Sequence, residues 1–351
     1  MKNKMRNASF EQSPITHGGD AGAAERRFGR PRGGWLDLST GINPRAYSVP
    51  GVAVEQWRRL PDRRTLDRLA HAAADCYGAA DPALVVPAPG TQALIQWLPR
   101  LRPKGTVAVV GPTYAEHARC WRMAGHRVRY VADLAEARAS GARVVVAVNP
   151  NNPDGRIFTK DSVLALARFL ARRDGLLVVD ESFADVANDI SVAAFAGRPG
   201  LVVLRSFGKF FGLAGLRLGF AIAPAPIAAK LRDSLGPWAV SGPAAAVGIA
   251  ALKDWRWQVG TRRRLARDMK RLRALLGSNR LDIVGGTSLF VLTASPKAGK
   301  LWERLARLGI LVRKFDERPH WLRFGLPGRP TDWRRLARAL AAFKSFGATV
   351  P

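Results

Sequence analysis

Apolar positions along this chain follow two different periods. From Leu66 they recur at helical spacing through Leu69, Ala70, Ala73 and Tyr77, and the pattern stops at Gly78, a residue suited to a helix end. Beyond it come short, nearly unbroken apolar runs: TVAVVG from Thr106, RVVVAV from Arg143, LLVVD ending at Asp180, LVVLRS ending at Ser206, and RLGFAIA from Arg217. These runs are too short for core helices and lack the alternation of a half-wet strand. They predict strands buried on both faces, with the helical stretches between them as covering layers. The expectation is an α/β fold whose large domain has a mostly parallel sheet, with ligands beyond the carboxyl ends of its strands.

Past about Ala250 the pattern changes to a long charged helix with Leu265, Met269, Leu272 and Leu276 on one stripe. Two short strands near Leu281 and Ser288 follow, then alternating helix and strand. This predicts a smaller α+β domain over residues 251–351 and a large domain over 46–250, with residues 1–45 forming an N-terminal arm and part of the small domain. The opening ~35 residues are polar and rich in Gly and Arg, as expected of an arm that packs against something else.

Composition excludes some classes. The chain has 351 residues, 47% of them hydrophobic, and none of its apolar runs reaches the ~20 residues of a membrane helix. The segment MKNKMRNASFEQSP is basic with no apolar stretch behind it, so a cytoplasmic location is expected. Cys76 and Cys120 stand in no ligand or disulfide pattern, which predicts packing roles and no metal. The 56 Lys and Arg against 27 Asp and Glu give +29, which makes a basic nucleic-acid-binding protein a rival reading. However, the cations are interleaved with apolar positions, as in RRRLARDMKRLRALL from Arg262, and no nucleic-acid-binding motif accompanies them. A solvated helix face is the simpler explanation, and no specific nucleic acid is expected.

Four segments carry candidate chemistry. In SFGKFFGLAGLRLG, Lys209 lies among small and aromatic residues, where desolvation favours a neutral, nucleophilic amine. Ser206 and Arg217 on either side offer a hydroxyl and a guanidinium to a phosphate. A snorkelling lysine is the alternative for Lys209 alone. In LLVVDESFADV, Asp180 ends a strand where a protonated pyridine nitrogen would keep it ionised; a loop or capping carboxylate is the alternative. In VNPNNPDGR, Asn152 offers its amide to a phenolate, although turn chemistry also explains the composition. In PAPGTQALIQWL, Gly90, Thr91 and Gln92 open a helix that could face phosphate, as many helix starts could.

Taken together and in this order, these segments resemble the fold-type I pyridoxal 5'-phosphate (PLP) enzymes of the class I/II aminotransferase superfamily over nearly the whole chain. The resemblance implies PLP as cofactor, with Lys209 as the Schiff-base lysine, Asp180 on the pyridine nitrogen and Asn152 on the ring hydroxyl. It implies Ser206, Arg217, Gly90, Thr91 and Gln92 around the cofactor phosphate, Tyr114 of GPTYAEHA stacked on the ring, and Arg323 of WLRFGLPG on a substrate carboxylate. As alternatives, Tyr114 is a core aromatic and Arg323 a surface ion-pair partner.

Finer wording narrows the resemblance. THGGD from Thr16, LSTGINP from Leu38 and LGPWAVSGPA from Leu235 look like the threonine-phosphate decarboxylase family of cobalamin biosynthesis. That implies a small phosphorylated amino-acid substrate, with His17 on its phosphate and Gly41, Ile42 and Asn43 lining its pocket. A functionless arm is the alternative for His17. The implied reaction is decarboxylation of L-threonine O-3-phosphate to (R)-1-amino-2-propanol O-2-phosphate, and the superfamily implies a homodimer. The histidinol-phosphate type of aminotransferase shares the cofactor apparatus and is the second reading. The chain departs from many relatives at Phe183, where they have tyrosine, at Leu60, where a tyrosine reaches the neighbouring subunit, and at Asp154, where threonine is commoner.

Overall fold

A computed structural model of the chain describes residues 17–346. Thr16 and the basic opening segment therefore lie outside the described residues. The larger of two sheets has seven strands in the order Val85–Ala88, Gly219–Ile222, Leu201–Ser206, Leu176–Asp180, Val144–Val148, Thr106–Val110, Arg127–Val131. The last five run parallel, while Gly219–Ile222 is antiparallel to both of its neighbours. Leu176–Asp180 and Val144–Val148 are buried throughout. Helices cover both faces: one core includes Phe207, Phe220 and Leu170, and the other Leu94, Trp121 and Val178. Two strands were not foreseen from the sequence. Val85–Ala88 is flanked and interrupted by prolines, and the edge strand Arg127–Val131 keeps most of its length exposed and so carries no apolar run.

The helix over Arg63–Tyr77 is as predicted. Asp62 caps its start by accepting from the Thr65 N–H, and Gly78 ends it in left-handed backbone. Helix Trp255–Ser278 buries Leu265, Met269, Leu272 and Leu276, the stripe read from the sequence. It packs on a five-stranded sheet ordered Leu36–Leu38, Ile310–Lys314, Trp321–Gly325, Phe290–Ala294, Asp282–Thr287. Leu36–Leu38 pairs parallel with Ile310–Lys314, so a segment near the start of the chain completes a sheet built from its end.

The expected arm is more structured than its composition suggests. Ala21–Phe28 is a helix with no buried residue of its own, too short to stand alone. It docks on helix Ala298–Arg307, where Phe28 meets Trp302 edge-on at 5.7 Å and Arg27 lies over both rings. Among the described residues no helix is long and apolar enough to cross a membrane.

Candidate active site

Leu201–Ser206 runs directly into the single helical turn Phe207–Phe210, which lifts Lys209 off the carboxyl end of the sheet. Phe207, Phe210 and Phe211 anchor that turn in the core, Phe207 and Phe211 being stacked at 4.4 Å. Asn43 clamps it from outside: its backbone N–H donates to the Lys209 carbonyl and its Nδ2 to the Phe210 carbonyl, both at 2.9 Å. The amine lies 5.9 Å from the centroid of the Phe183 ring. Burial, then the Arg323 charge, push Lys209 down from 10.5 to about 8, with Arg217 adding to the effect and Asp180 opposing it. The amine is therefore far more often neutral near pH 7 than an ordinary lysine.

Asp180 ends its strand fully enclosed. Its Oδ1 accepts from the Ser182 N–H at 2.9 Å and the Ser182 hydroxyl at 2.5 Å, and His117 Nε2 lies 2.8 Å from its Oδ2. Burial alone would raise this carboxyl, but the His117 and Ser182 hydrogen bonds outweigh it and hold the group below its ordinary value. Sequence reasoning missed His117. It lies three residues after Tyr114 on the helix Ala115–Met123, and the Tyr114 and His117 rings meet edge-on at 6.1 Å. The available signal was a lone histidine one helical turn from a candidate site aromatic.

On the other side, Gly90 has φ +84°, and a Cβ there would come 2.5 Å from Arg217 Nη2. Glycine is thus required both by its backbone and by the guanidinium lying against it. Ser206 is in register with Gly219, and a Cβ on Gly219 would meet the Thr91 nitrogen at 2.5 Å. Gly90, Thr91, Ser206 and Arg217 therefore converge. The Gln92 side chain turns away from this group: it accepts from the Tyr114 hydroxyl at 3.4 Å and donates to Glu116 at 3.1 Å. Burial, then Glu116, raise Tyr114 to about 12, so its hydroxyl stays protonated.

The third wall comes from the small sheet. Arg323 on Trp321–Gly325 donates through Nη1 to Asn152 Oδ1 and through Nη2 to the Ser39 carbonyl at 2.9 Å, and its Nε is buried without a hydrogen-bond partner. Because Arg323 takes the Asn152 oxygen, the Asn152 Nδ2 is left as a donor. The preceding Asn151 fixes this turn, donating to Asp154 and to the Pro112 carbonyl. Gly41 is wedged so closely that a Cβ would lie 2.8 Å from Phe183 and 2.9 Å from Phe290, and Ile42 beside it is half-buried. Asn43 departs from the pocket-lining expectation. Its amide donates to Phe210 and its oxygen accepts from the Arg45 N–H and from Arg264, so the side chain is spent on structure. His17 reaches the site from the arm, with its ring 5.9 Å from Tyr114 and its Nε2 3.2 Å from Glu116.

These groups suit a flat, phosphate-bearing pyridine aldehyde. They provide an amine of lowered pKa, an ionised carboxylate, an amide donor and an arginine against a glycine turn. The fit rests on the Gly90 cradle, which any side chain would fill.

Comparisons agree with this geometry. Residues 52–340 match the family model of class I and II aminotransferases. Threonine-phosphate decarboxylases from a Sinorhizobium species and from Pseudomonas aeruginosa are 48% and 46% identical, each alignment covering 94% of this chain and 98% of the relative. A histidinol-phosphate aminotransferase from Sinorhizobium meliloti, solved with pyridoxal-5'-phosphate, superposes with a TM-score of 0.81 at 22% identity, covering 97% of this chain and 99% of that one. With a lysine, an aspartate and an arginine-bound glycine turn at the strand ends, and with these matches along nearly its full length, the chain belongs to the class I and II aminotransferase family.

Proposed function

We propose that the protein is a PLP-dependent decarboxylase of L-threonine O-3-phosphate, releasing (R)-1-amino-2-propanol O-2-phosphate in cobalamin biosynthesis. The identities of 48% and 46% to proteins of that name support the substrate, whereas the 22% likeness to a histidinol-phosphate aminotransferase speaks for fold alone. The observation that carries the reading is His17 of the arm, 5.9 Å from the Tyr114 ring and 3.2 Å from Glu116, where its imidazole can donate to a substrate's distal phosphate.

Lys209 would hold the cofactor through its amine, Asp180 would face the ring nitrogen, and Asn152 Nδ2 would face the ring oxygen. Ser206, Arg217, Gly90 and Thr91 would take the phosphate, Gln92 would position Tyr114, and Tyr114 would cover the ring. When bound, the group supplies an electron sink for the pair left on Cα as the carboxylate departs. The chain's own residues decide which bond is exposed. Arg323 grips the carboxylate, Gly41 and Ile42 bound the pocket, and His17 draws the phosphate to the arm, so two fixed points set the rotation about Cα. The Lys209 amine then delivers the proton to Cα that replaces carbon dioxide. His117 and Ser182 keep Asp180 charged throughout, and Asn43 holds the Lys209 turn.

The same reading includes a cytoplasmic homodimer with residues 1–45 forming an arm and part of the small domain, a large domain over 46–250 and the rest of the small domain over 251–351. Two free cysteines suit a reducing compartment. The exposed Val54, Trp57 and Leu60, clustered in one short stretch, suit a partner subunit. The deciding assay supplies threonine phosphate without a keto-acid acceptor. Release of carbon dioxide is expected. Turnover of histidinol phosphate that depends on an acceptor would overturn the reading.

A further inference from the structure

Glu116 is a buried carboxylate that the mechanism above does not use, and its partners come from three separate places. His17 Nε2 of the arm lies 3.2 Å from its Oε1, Gln92 Nε2 of the helix Thr91–Trp97 donates to its Oε2 at 3.1 Å, and Arg119 Nη1 donates to Oε1 at 3.4 Å. Gln92 in turn accepts from the Tyr114 hydroxyl. A continuous chain of polar contacts thus runs from the arm to the aromatic beside the Lys209 pocket.

The arm is fastened again at its other end. The Gly19 N–H donates to Ser39 Oγ at 2.8 Å, and a Cβ on Gly18 would lie 2.4 Å from the Ser39 carbonyl. That carbonyl also accepts from Arg323. His17–Gly18–Gly19 therefore spans the cleft between a large-domain carboxylate and the loop that seats the arginine. His17 and Arg119 approach the same oxygen, so their nitrogens lie within two hydrogen-bond lengths of each other. Both side chains are about half exposed, at 46% and 54%, so their remaining donors are open to a ligand.

The geometry points to Glu116 as a positioning residue for substrate discrimination: it latches the arm across the cleft and gathers His17 and Arg119 into a pair of hydrogen-bond donors that receives the phosphate of a phosphorylated amino acid. Glu116 does not touch the substrate. It fixes the place of the groups that do, so its loss should weaken recognition of the phosphate. The inference rests on the proposed decarboxylase reading for its substrate, but not for the latch itself.

The test uses the PLP-loaded full chain. In Glu116→Ala, hydrogen exchange over residues 17–20 should accelerate roughly tenfold, as for loss of one hydrogen bond to a charged group. KM for threonine phosphate should rise roughly tenfold. The visible spectrum should hold, and KM for unphosphorylated threonine should stay put. The pair His17→Ala with Glu116→Ala should cost less than the product of the two single penalties, since both remove the same His17–Glu116 contact. Unchanged arm exchange, or penalties that multiply in the double variant, would overturn the latch. Glu116→Gln keeps the volume should the alanine variant fail to fold, and should shift both readouts the same way by less. If the wild type does not decarboxylate threonine phosphate, the functional reading falls, while the exchange measurement still judges Glu116.

Discussion

Arg205 and Arg323 are both buried, at 2% and 7% exposed, and they are solvated in opposite ways. Arg205 lies between two carboxylates, donating to Glu181 at 2.7 Å and to Asp185 at 2.6 Å, with the Tyr77 ring 4.4 Å from its guanidinium. Despite burial, Asp185 and Glu181 push its pKa above the ordinary arginine value. Among the described residues Arg323 pairs with no carboxylate; it donates to an amide oxygen and a carbonyl beside the Phe290 ring, and burial together with Arg313 draws it down to about 10 against the charge of Asp37. One charge is matched within the protein, and the other waits for an anion from outside. Neighbouring acids show the same contrast. Glu181 is saturated by Arg205, Ser191 and the Val192 N–H, whereas Asp180 beside it is oriented by His117 and Ser182 with the site in front of it. A buried charge that no carboxylate of the protein neutralises is a candidate for binding; one held between carboxylates belongs to the scaffold.

The largest effect should follow from breaking the matched group. Arg205→Met leaves two buried carboxylates unpaired and should cost about 3–5 kcal/mol of stability in denaturant unfolding. Arg323→Met should leave stability nearly unchanged or raised, yet lower kcat/KM roughly hundredfold, equivalent to about 2.7 kcal/mol of lost charge-assisted contact. If the two variants behaved alike, the distinction would fail. A finer test uses pH. In protein stripped of cofactor, PLP capture needs the neutral amine, so its rate should rise as pH climbs through about 8, the Lys209 value. Removing the Arg323 charge takes away a contribution that lowers that value, so the profile should move to higher pH in Arg323→Met. A shift to lower pH would contradict the electrostatic account. The smallest effect concerns the exposed apolar stretch: Trp57→Glu with Leu60→Glu should move the protein toward monomer in sedimentation while the monomer's unfolding midpoint stays close to wild type.

Much of this was legible in the sequence because the relevant forces are local. Buried strands need unbroken apolar runs, so the central sheet showed itself. The reversed direction of Gly219–Ile222 did not, since strand direction depends on pairing partners and leaves no local pattern. Lys209 and Arg217 stood out among small and apolar neighbours, and Asp180 as the end of an apolar run. His117 and Glu116 did not, because each matters through a partner remote in sequence, at separations of 63 residues to Asp180 and 99 to His17. Asn43 misled for a related reason. Gly41 packs against Phe183 and Phe290, but the Asn43 amide is bonded to the Lys209 turn. Phe183, where the resemblance leads one to expect tyrosine, meets Phe290 edge-on at 5.0 Å with the Lys209 amine 5.9 Å from its ring.

The central claim is that one amine, Lys209, carries the cofactor. Borohydride reduction of the loaded protein followed by peptide mapping tests it directly. The account predicts a stable pyridoxyl label on the peptide containing Phe207–Phe210, and neither label nor turnover in Lys209→Ala. Label on another lysine, or a variant that keeps both its label and its rate, would contradict it.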